Sequence, residues 1–476
     1  MYLYIHTFFC SNFKSYLEAL HSLNCESTVL KNAWTIAIET LSWIEMQRLS
    51  EHIALAKTIK QLNETNPNAI RYAYGLIIET TRHRNLIDKF INTIVTPQTL
   101  EEFNLGIQSF LRLYVYQTRV TKNWGKYNLQ EAQNIASMAR SILGWKTLLP
   151  IEPYLGFLLT RTLQPIIEAT NNEERLSLET LHPLWFVKYC INLFGREEAA
   201  TFLNANNLLP PTYIRLNTLK GQPIDTLQKL AAEGIKLQKI DSLQNIYKIT
   251  ELKQPLNTLE SSKLGLFYVQ DKASCFATQV ATPKPGSKIF DICAAPGAKT
   301  TYLAQLMQNH GSIVSIDFSK RRMKTWKQEI NYMGVTIAEA ITANACLPLP
   351  FTGEADLVIL DPPCTSTGVF AKQPSAKWRL SQKSIENMAE VQQQMINNCA
   401  QKVASGGYLT YSTCSITVEE NELVIEQFLK EHPNFHLIDI EPKIGLPGLH
   451  GLTQCQRLYP HLHECNGFFI AKLKKS

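Results

Sequence analysis

The sequence predicts a multidomain protein: an all-α N-terminal region, a small α+β segment, and a C-terminal α/β domain on a doubly wound parallel sheet. Three observations carry this. Apolar residues recur at three- and four-residue spacing from residue 28 to about 145. The pattern changes near residue 183. From about 264 strand-like and helix-like stretches alternate, as parallel strands with crossover helices require. The expected domains are 1–165, 175–260 and 261–476.

In the first region Ala33, Ile36, Ala37, Leu41 and Ile44 mark one helical face. Further helices are expected near 51–62, 68–94, 101–119 and 129–142, punctuated by Pro67, Thr96-Pro97 and Gly144. The polar stretch 170–175 reads as a linker. Pro183-Leu184-Trp185 opens a helix ending near Gly195. Residues 213–217 read as a strand and 223–232 as a helix. In the last region strands are expected at 287–292, 312–317, 338–342 and 356–360, with helices at 300–307 and 319–333. A long helix then carries Ile385, Met388, Val391, Met395, Ile396, Cys399 and Val403 on its apolar face and stops at Gly406-Gly407. A strand over 467–473 closes the chain.

Composition is ordinary for a globular protein, with 45% hydrophobic and 18% charged residues. No apolar run approaches the ~20 residues needed to span a bilayer, so no membrane partner is expected. The apolar start, residues 1–9, lacks a basic flank and a small-residue cleavage site, and reads as a packed or frayed terminus. A net charge of +6 is compatible with nucleic acid. The 11 cysteines are scattered without a Cys-x-x-Cys pair, which argues against a zinc ribbon and a secreted disulfide framework. A cytoplasmic monomer without a metal is expected.

Two cysteines stand apart. Cys364 follows the apolar run 355–361 through Pro362-Pro363, and Cys414 follows 407–411 through Ser412-Thr413. In an open parallel sheet, strand carboxyl ends line the ligand crevice, so both thiols point to covalent chemistry there. For Cys346 and Cys399 the expected state is an inert buried thiol, and the same holds for the sulfur of Cys293.

Asp291-Ile292-Cys293-Ala294-Ala295-Pro296-Gly297-Ala298-Lys299-Thr300 joins a strand to a helix. Small residues admit close approach of a ligand, and the helix N-terminus favours a negative group such as a carboxylate. The spacing matches neither a Walker loop nor Gly-x-Gly-x-x-Gly. Asp317 ends the next strand, where an acid accepts hydrogen bonds from ribose hydroxyls.

These stretches, with LDPPCTSTG (360–368), YSTCSITVEENE (411–422) and GFFIAKL (467–473), resemble the Sun/RsmB-type family of RNA cytosine-5 methyltransferases. PLWFVKYCINLFG (183–195) and YIRLN (213–217) resemble its RNA-binding segment, and Phe267-Tyr268-Val269-Gln270-Asp271 the entry to its catalytic domain. The resemblance covers about 183–476. The N-terminal helices, with Arg71-Tyr72-Ala73-Tyr74-Gly75 and Leu111-Arg112-Leu113-Tyr114, resemble the NusB-like RNA-binding domain of the bacterial small-subunit rRNA member.

The resemblance implies a Rossmann-like domain using S-adenosylmethionine (SAM) to make 5-methylcytosine, in rRNA first and tRNA second. It implies that Cys414 attacks carbon 6, that Cys364 assists product release, that Asp361 faces cytosine N3, and that Lys299 supports it. On chemistry alone the cysteine roles could be reversed, since DNA cytosine methyltransferases attack with a Pro-Cys cysteine resembling Cys364. The cofactor would lie on Cys293, Ala294, Ala295, Pro296, Gly297, Ala298, Lys299, Asp317, Asn344 and Asp361. Glu419, Glu420 and Asn421 are taken as framework at the start of a helix.

Two departures from the family are Ala298, where a glycine is usual, and Asn344, where an acid is usual. Weaker SAM binding is expected from both. Arg215 and Asn217 are expected RNA contacts by resemblance. The basic run Lys320, Arg321, Arg322, Lys324 and Lys327 beside Trp326, and Lys372, Lys377, Trp378 and Arg379, could grip phosphates and stack bases. The rival from another class is a non-catalytic RNA-binding assembly factor.

Overall fold

The structure, a computed structural model, describes residues 27–476; the expectation for residues 1–9 lies outside them. The chain forms two compact units. One holds the described residues up to Leu208 together with Phe370–Arg379, and the other holds Leu209–Val369 and Leu380–Ser476.

The first unit is helical. Its long helices are Ser27–Gln47, Glu51–Leu62, Pro67–Arg82, Arg84–Val95, Leu105–Thr118 and Leu129–Leu143. Asn66, Asn104 and Asn128 cap three of them by accepting backbone N–H bonds at their starts. The expected helix over 68–94 is two helices meeting at His83, and the one expected over 101–119 begins only at Leu105. Trp34, Phe90 and Phe110 fill the core. Arg112 is buried with them, donating to Asp88 at 2.7 and 2.9 Å. That side chain is a structural ion pair, and losing one partner would cost about 3–5 kcal/mol.

The stretch read as a linker is instead the start of the helix Asn172–Glu179. Asn171 caps it and Glu173 and Glu174 sit in its first turn, so its polarity is a helix-start signal. The helices Leu184–Phe194 and Arg196–Ala205 follow.

In the second unit a small antiparallel sheet has the order β2-β3-β1-β4. Its strands are β1 (Tyr213–Leu216), β2 (Ile235–Lys239), β3 (Ile246–Leu252) and β4 (Phe267–Val269). Only the first of these, over 213–217, was legible as a strand.

The large sheet places β5 (Lys288–Ile292), β6 (Ser312–Asp317), β7 (Ala338–Thr342), β8 (Ala355–Leu360) and β9 (Val403–Thr413) in the parallel order β7-β6-β5-β8-β9. Antiparallel strands β10 (Phe435–Leu437), β11 (Leu446–Pro447), β12 (Gln456–Leu458) and β13 (Phe468–Lys475) extend it beyond β9. Helices cover the sheet, among them Ala298–Leu306, Lys320–Met333, Gln382–Ala400 and Glu422–Glu431. Phe290, Ile292, Val358, Leu360, Leu409 and Tyr411 pack with Met395, Ile396 and Cys399 of the long helix.

Val403 is not on that helix. The helix ends at Ala400, and Val403 is the first residue of β9, paired with Ala355. The pairing then jumps to Leu357 opposite Tyr408, so residues 404–407 bulge out around Gly406 at φ +74°. A local pattern cannot separate a buried helix end from a buried strand start.

Candidate active site

The strand order reverses direction at β5: β6 and β7 lie on one side of it, β8 and β9 on the other. Ligands bind at the carboxyl ends on either side of such a reversal. The loop after β5 carries Cys293–Gly297, Asp317 ends β6, Asn344 follows β7, Asp361 and Cys364 follow β8, and Cys414 follows β9. One sheet edge therefore collects residues spread over more than a hundred positions of the chain.

The two sulfurs meet. Cys364 Sγ and Cys414 Sγ are 3.2 Å apart, and the Ser366 hydroxyl is 3.4 Å from Cys414. Hydrogen bonding from Cys364, then from Ser366 and the nearby Lys299 charge, lowers the Cys414 pKa against the opposing effect of burial. The same contact with Cys414, with burial, raises Cys364 well above the ordinary thiol. Of the two, Cys414 is the readier thiolate. The Lys299 ammonium lies 2.5 Å from Asp361 Oδ2, and Ser412 donates to the other oxygen at 3.2 Å. Lys299 is nearly buried, whereas the Asp361 side chain is 34% exposed and so open to a ligand. Burial pushes Cys293, Cys346 and Cys399 up, but only Cys399 is buried as expected, whereas Cys293 and Cys346 are partly exposed.

A polar network that the sequence reading passed over pins the two cysteine loops. Glu420 is fully buried and accepts from Thr365 N at 2.8 Å, Gln392 Nε2 at 3.0 Å, Ser415 Oγ at 2.6 Å and Thr417 Oγ1 at 2.8 Å, with the Thr365 hydroxyl as a fifth donor. Asn421 donates to Ser415 O and accepts from Thr413. Glu420 and Asn421 are thus framework as expected, but they precede the helix, which starts at Glu422. Glu422 forms a buried ion pair with Arg457, which also donates to Ile416 O at 2.8 Å. Gly368 and Gly467 touch backbone to backbone; a Cβ on Gly368 would lie 2.4 Å from Gly467 O. The signal was present in the hydroxyl runs beside each cysteine, a pattern that asks for a shared acceptor.

The loop after β5 is shaped differently. Cys293 and Gly297 take positive φ, +65° and +117°, and Ala294 N donates to Ile316 O. Ala298 keeps negative φ as the first helical residue, so its methyl does not force the loop open. The Asp317 carboxylate accepts from Ser319 N at 3.0 Å and Ala295 N at 3.3 Å. Asn344 is exposed, and its side-chain oxygen accepts from Cys346 N at 3.0 Å.

The expected RNA contacts are mostly corrected. Arg215 has no exposed surface; it donates to Thr301 Oγ1 and Gln305 Oε1 of the helix Ala298–Leu306 and lies over the Tyr302 ring. Asn217 is also fully buried, donating to Gly265 O and Met333 O. Lys377 is buried against Leu181 O and Asn207, and burial holds its ammonium well below the usual lysine range. Arg379 donates to Ser375 O and Arg48 O, and Trp378 to Thr81 O. Arg322 is exposed, but its guanidinium holds Ala295 O and Asp317 Oδ2. Trp326 is buried and donates to Thr300 Oγ1, so it stacks on no base. A basic residue in a sequence does not reveal whether a carbonyl or a phosphate will face it.

Residues 278–474 match the family described as 16S rRNA methyltransferase RsmB/F, and residues 182–252 match its ferredoxin-like domain. The probable ribosomal RNA small subunit methyltransferase B of Bacillus subtilis is 30% identical over 450 residues, covering 92% of this chain and 98% of that protein. The chain belongs to the RsmB/F methyltransferase family. The crystal structure of PH0851 agrees across 94% of this chain and 99% of that one, with a TM-score of 0.76 at 30% identity. That of NSun6 from Pyrococcus horikoshii with SFG agrees over 62% of this chain and 98% of that one, at a TM-score of 0.58 and 27% identity. The strands β1, β2 and β3 of the small antiparallel sheet lie within the ferredoxin-like match. Among the described residues no helix is long and apolar enough to cross a membrane, and no His/Cys/Asp/Glu group is arranged to hold a metal.

Proposed function

We propose that the chain is a SAM-dependent RNA cytosine-5 methyltransferase acting on ribosomal RNA. The observation that carries this is the cysteine pair, 3.2 Å apart, on the sheet edge that also presents Asp361 and Lys299. Cytosine carbon 5 is a poor nucleophile. Cys414 adds to carbon 6, breaks the conjugation and leaves carbon 5 enamine-like. Asp361 faces N3 as charge develops there, and the Lys299 ammonium beside it supports that charge. SAM, when bound, supplies an electrophilic methyl on a sulfonium. A base removes the carbon 5 proton, and Cys364 assists release of Cys414.

The residues present fit SAM. Small side chains and a helix N-terminus suit a carboxylate, the Asp317 carboxylate at the carboxyl end of β6 is of the kind that accepts from a ribose hydroxyl, and Asn344 offers an amide to the adenine edge. The substrate base has to be unpaired or flipped. Exposed Lys320, Arg321, Lys324 and Lys327 are the residues left to meet phosphate. The helical unit is read as NusB-like and RNA-binding, and the whole as a cytoplasmic monomer.

Bisulfite sequencing of total RNA with and without the gene tests the substrate. A lost 5-methylcytosine in rRNA is expected; a loss confined to tRNA overturns the rRNA reading, and no loss together with no SAM binding favours the scaffold. Cys414→Ala should lower methyl transfer by at least ~10³-fold, whereas Cys364→Ala should accumulate a protein–RNA adduct. Adducts in the Cys414 variant instead would reverse the two roles.

A further inference from the structure

We propose that Cys364 and Cys414 form a reversible disulfide that switches the methyltransferase site off under oxidising conditions; the inactivation half of this rests on the function proposed above. The geometry is already close. The sulfurs stand 3.2 Å apart and need to approach by only about 1.2 Å to reach the bonded separation. Neither thiol is sealed in the core, since both cysteines are partly exposed. None of the nine described cysteines is in a disulfide, and Cys190, Cys275, Cys399, Cys455 and Cys465 are buried.

The loops that carry the pair are held against each other. Thr365 from one loop and Ser415 and Thr417 from the other share the Glu420 carboxylate. Gly368 N donates to Cys414 O at 3.0 Å, and Gly467 N donates to Gly368 O at 2.9 Å. The two thiols therefore meet at a high effective concentration, which favours the intramolecular bond over a mixed disulfide with a small thiol. The neighbouring Cys364 thiol, then the Ser366 hydroxyl and the Lys299 ammonium, favour a thiolate on Cys414, making it the first sulfur to react.

Hydrogen peroxide is a sufficient oxidant. The Cys414 thiolate attacks one peroxide oxygen; an S–O bond forms, the O–O bond breaks, hydroxide leaves, and the sulfur becomes a sulfenic acid. Cys364 then attacks that sulfur. The S–S bond forms, the S–O bond breaks, and the departing hydroxide takes the Cys364 proton as water. Two thiols have lost two hydrogens in all, and peroxide has become two waters. A dithiol such as dithiothreitol reverses this by thiol–disulfide exchange. While the bond stands, Cys414 has no thiolate to add to carbon 6.

The test uses the full chain, treated with stoichiometric peroxide and mapped by non-reducing peptide mass spectrometry. A 364–414 crosslinked peptide is expected, lost on dithiothreitol treatment, with methyl transfer falling at least ten-fold and recovering on reduction. Cys364→Ser should give the Cys414 sulfenic acid and its further oxidation, with no crosslink. Oxidation of Cys414 to sulfinic acid in the wild-type chain without a crosslink would overturn the proposal, as would a crosslink that leaves activity intact. A reduced protein that binds no SAM and transfers no methyl, yet still crosslinks, would sink the enzymatic reading and leave the disulfide standing.

Discussion

The loop after β5 and the two cysteine loops line the same sheet edge, yet they are built on opposite principles. The first is shaped by backbone: two positive-φ residues, carbonyl-directed hydrogen bonds and small side chains. The second pair is held by side chains, with five donors converging on one buried carboxylate. A backbone-shaped cradle accepts side-chain change wherever φ is ordinary. A side-chain network loses several bonds with any one member. This accounts for Ala298, a departure from the usual family residue that fits without strain, and it singles out Glu420, which touches neither sulfur.

The comparison is broken most severely at Glu420. Glu420→Gln places an amide nitrogen among hydroxyl and amide donors and should destabilise the fold by about 2–4 kcal/mol in urea unfolding. Turnover should fall while SAM affinity holds; equal losses in both would mean the two loops are not independent.

A test on the other side concerns Asp291, beneath the β5 loop. Burial pushes its carboxyl up to about 7, although Thr300 donates to it at 2.5 Å. The native state thus favours the protonated form. The contribution is complete below the unfolded-state value near 3.8 and is lost as pH rises through about 7. A rise of about three units corresponds to up to ~4 kcal/mol. Asp291→Asn should remove this part of the decline in stability between pH 4 and 8, and unchanged pH slopes would refute it.

The smallest effects separate two adjacent residues. Gly297→Ala forces φ +117° on a side chain and puts its Cβ 3.2 Å from Trp326 Cδ1, so SAM affinity by calorimetry should fall about ten-fold. Ala298→Gly should change that affinity less than about three-fold and lower stability by about 1 kcal/mol at most, since it only loosens a helical residue. A large gain in affinity from Ala298→Gly would show that the methyl does crowd the donor.

Much of the catalytic fold was legible because strand–helix alternation is a local signal. The strands over 312–317 and 338–342 were read to the residue, which placed Asp317, and the apolar runs 355–361 and 407–411 placed Asp361, Cys364 and Cys414 at the sheet end. The antiparallel strands β2 and β3 were missed because their mixed exposure gives no clean alternation. Arg215, Asn217 and Lys377 were misread for a related reason: the groups their side chains donate to lie from 48 to 196 residues away.

What the sequence determined alone was the chemical inventory and the order of elements, since periodicity and turn residues act within a few positions of themselves. Which thiol meets which, that Glu420 binds both loops, and which cations face protein rather than solvent were decided only in the folded chain. Those outcomes depend on burial and on hydrogen bonds between segments that only the completed sheet brings within 3 Å of each other.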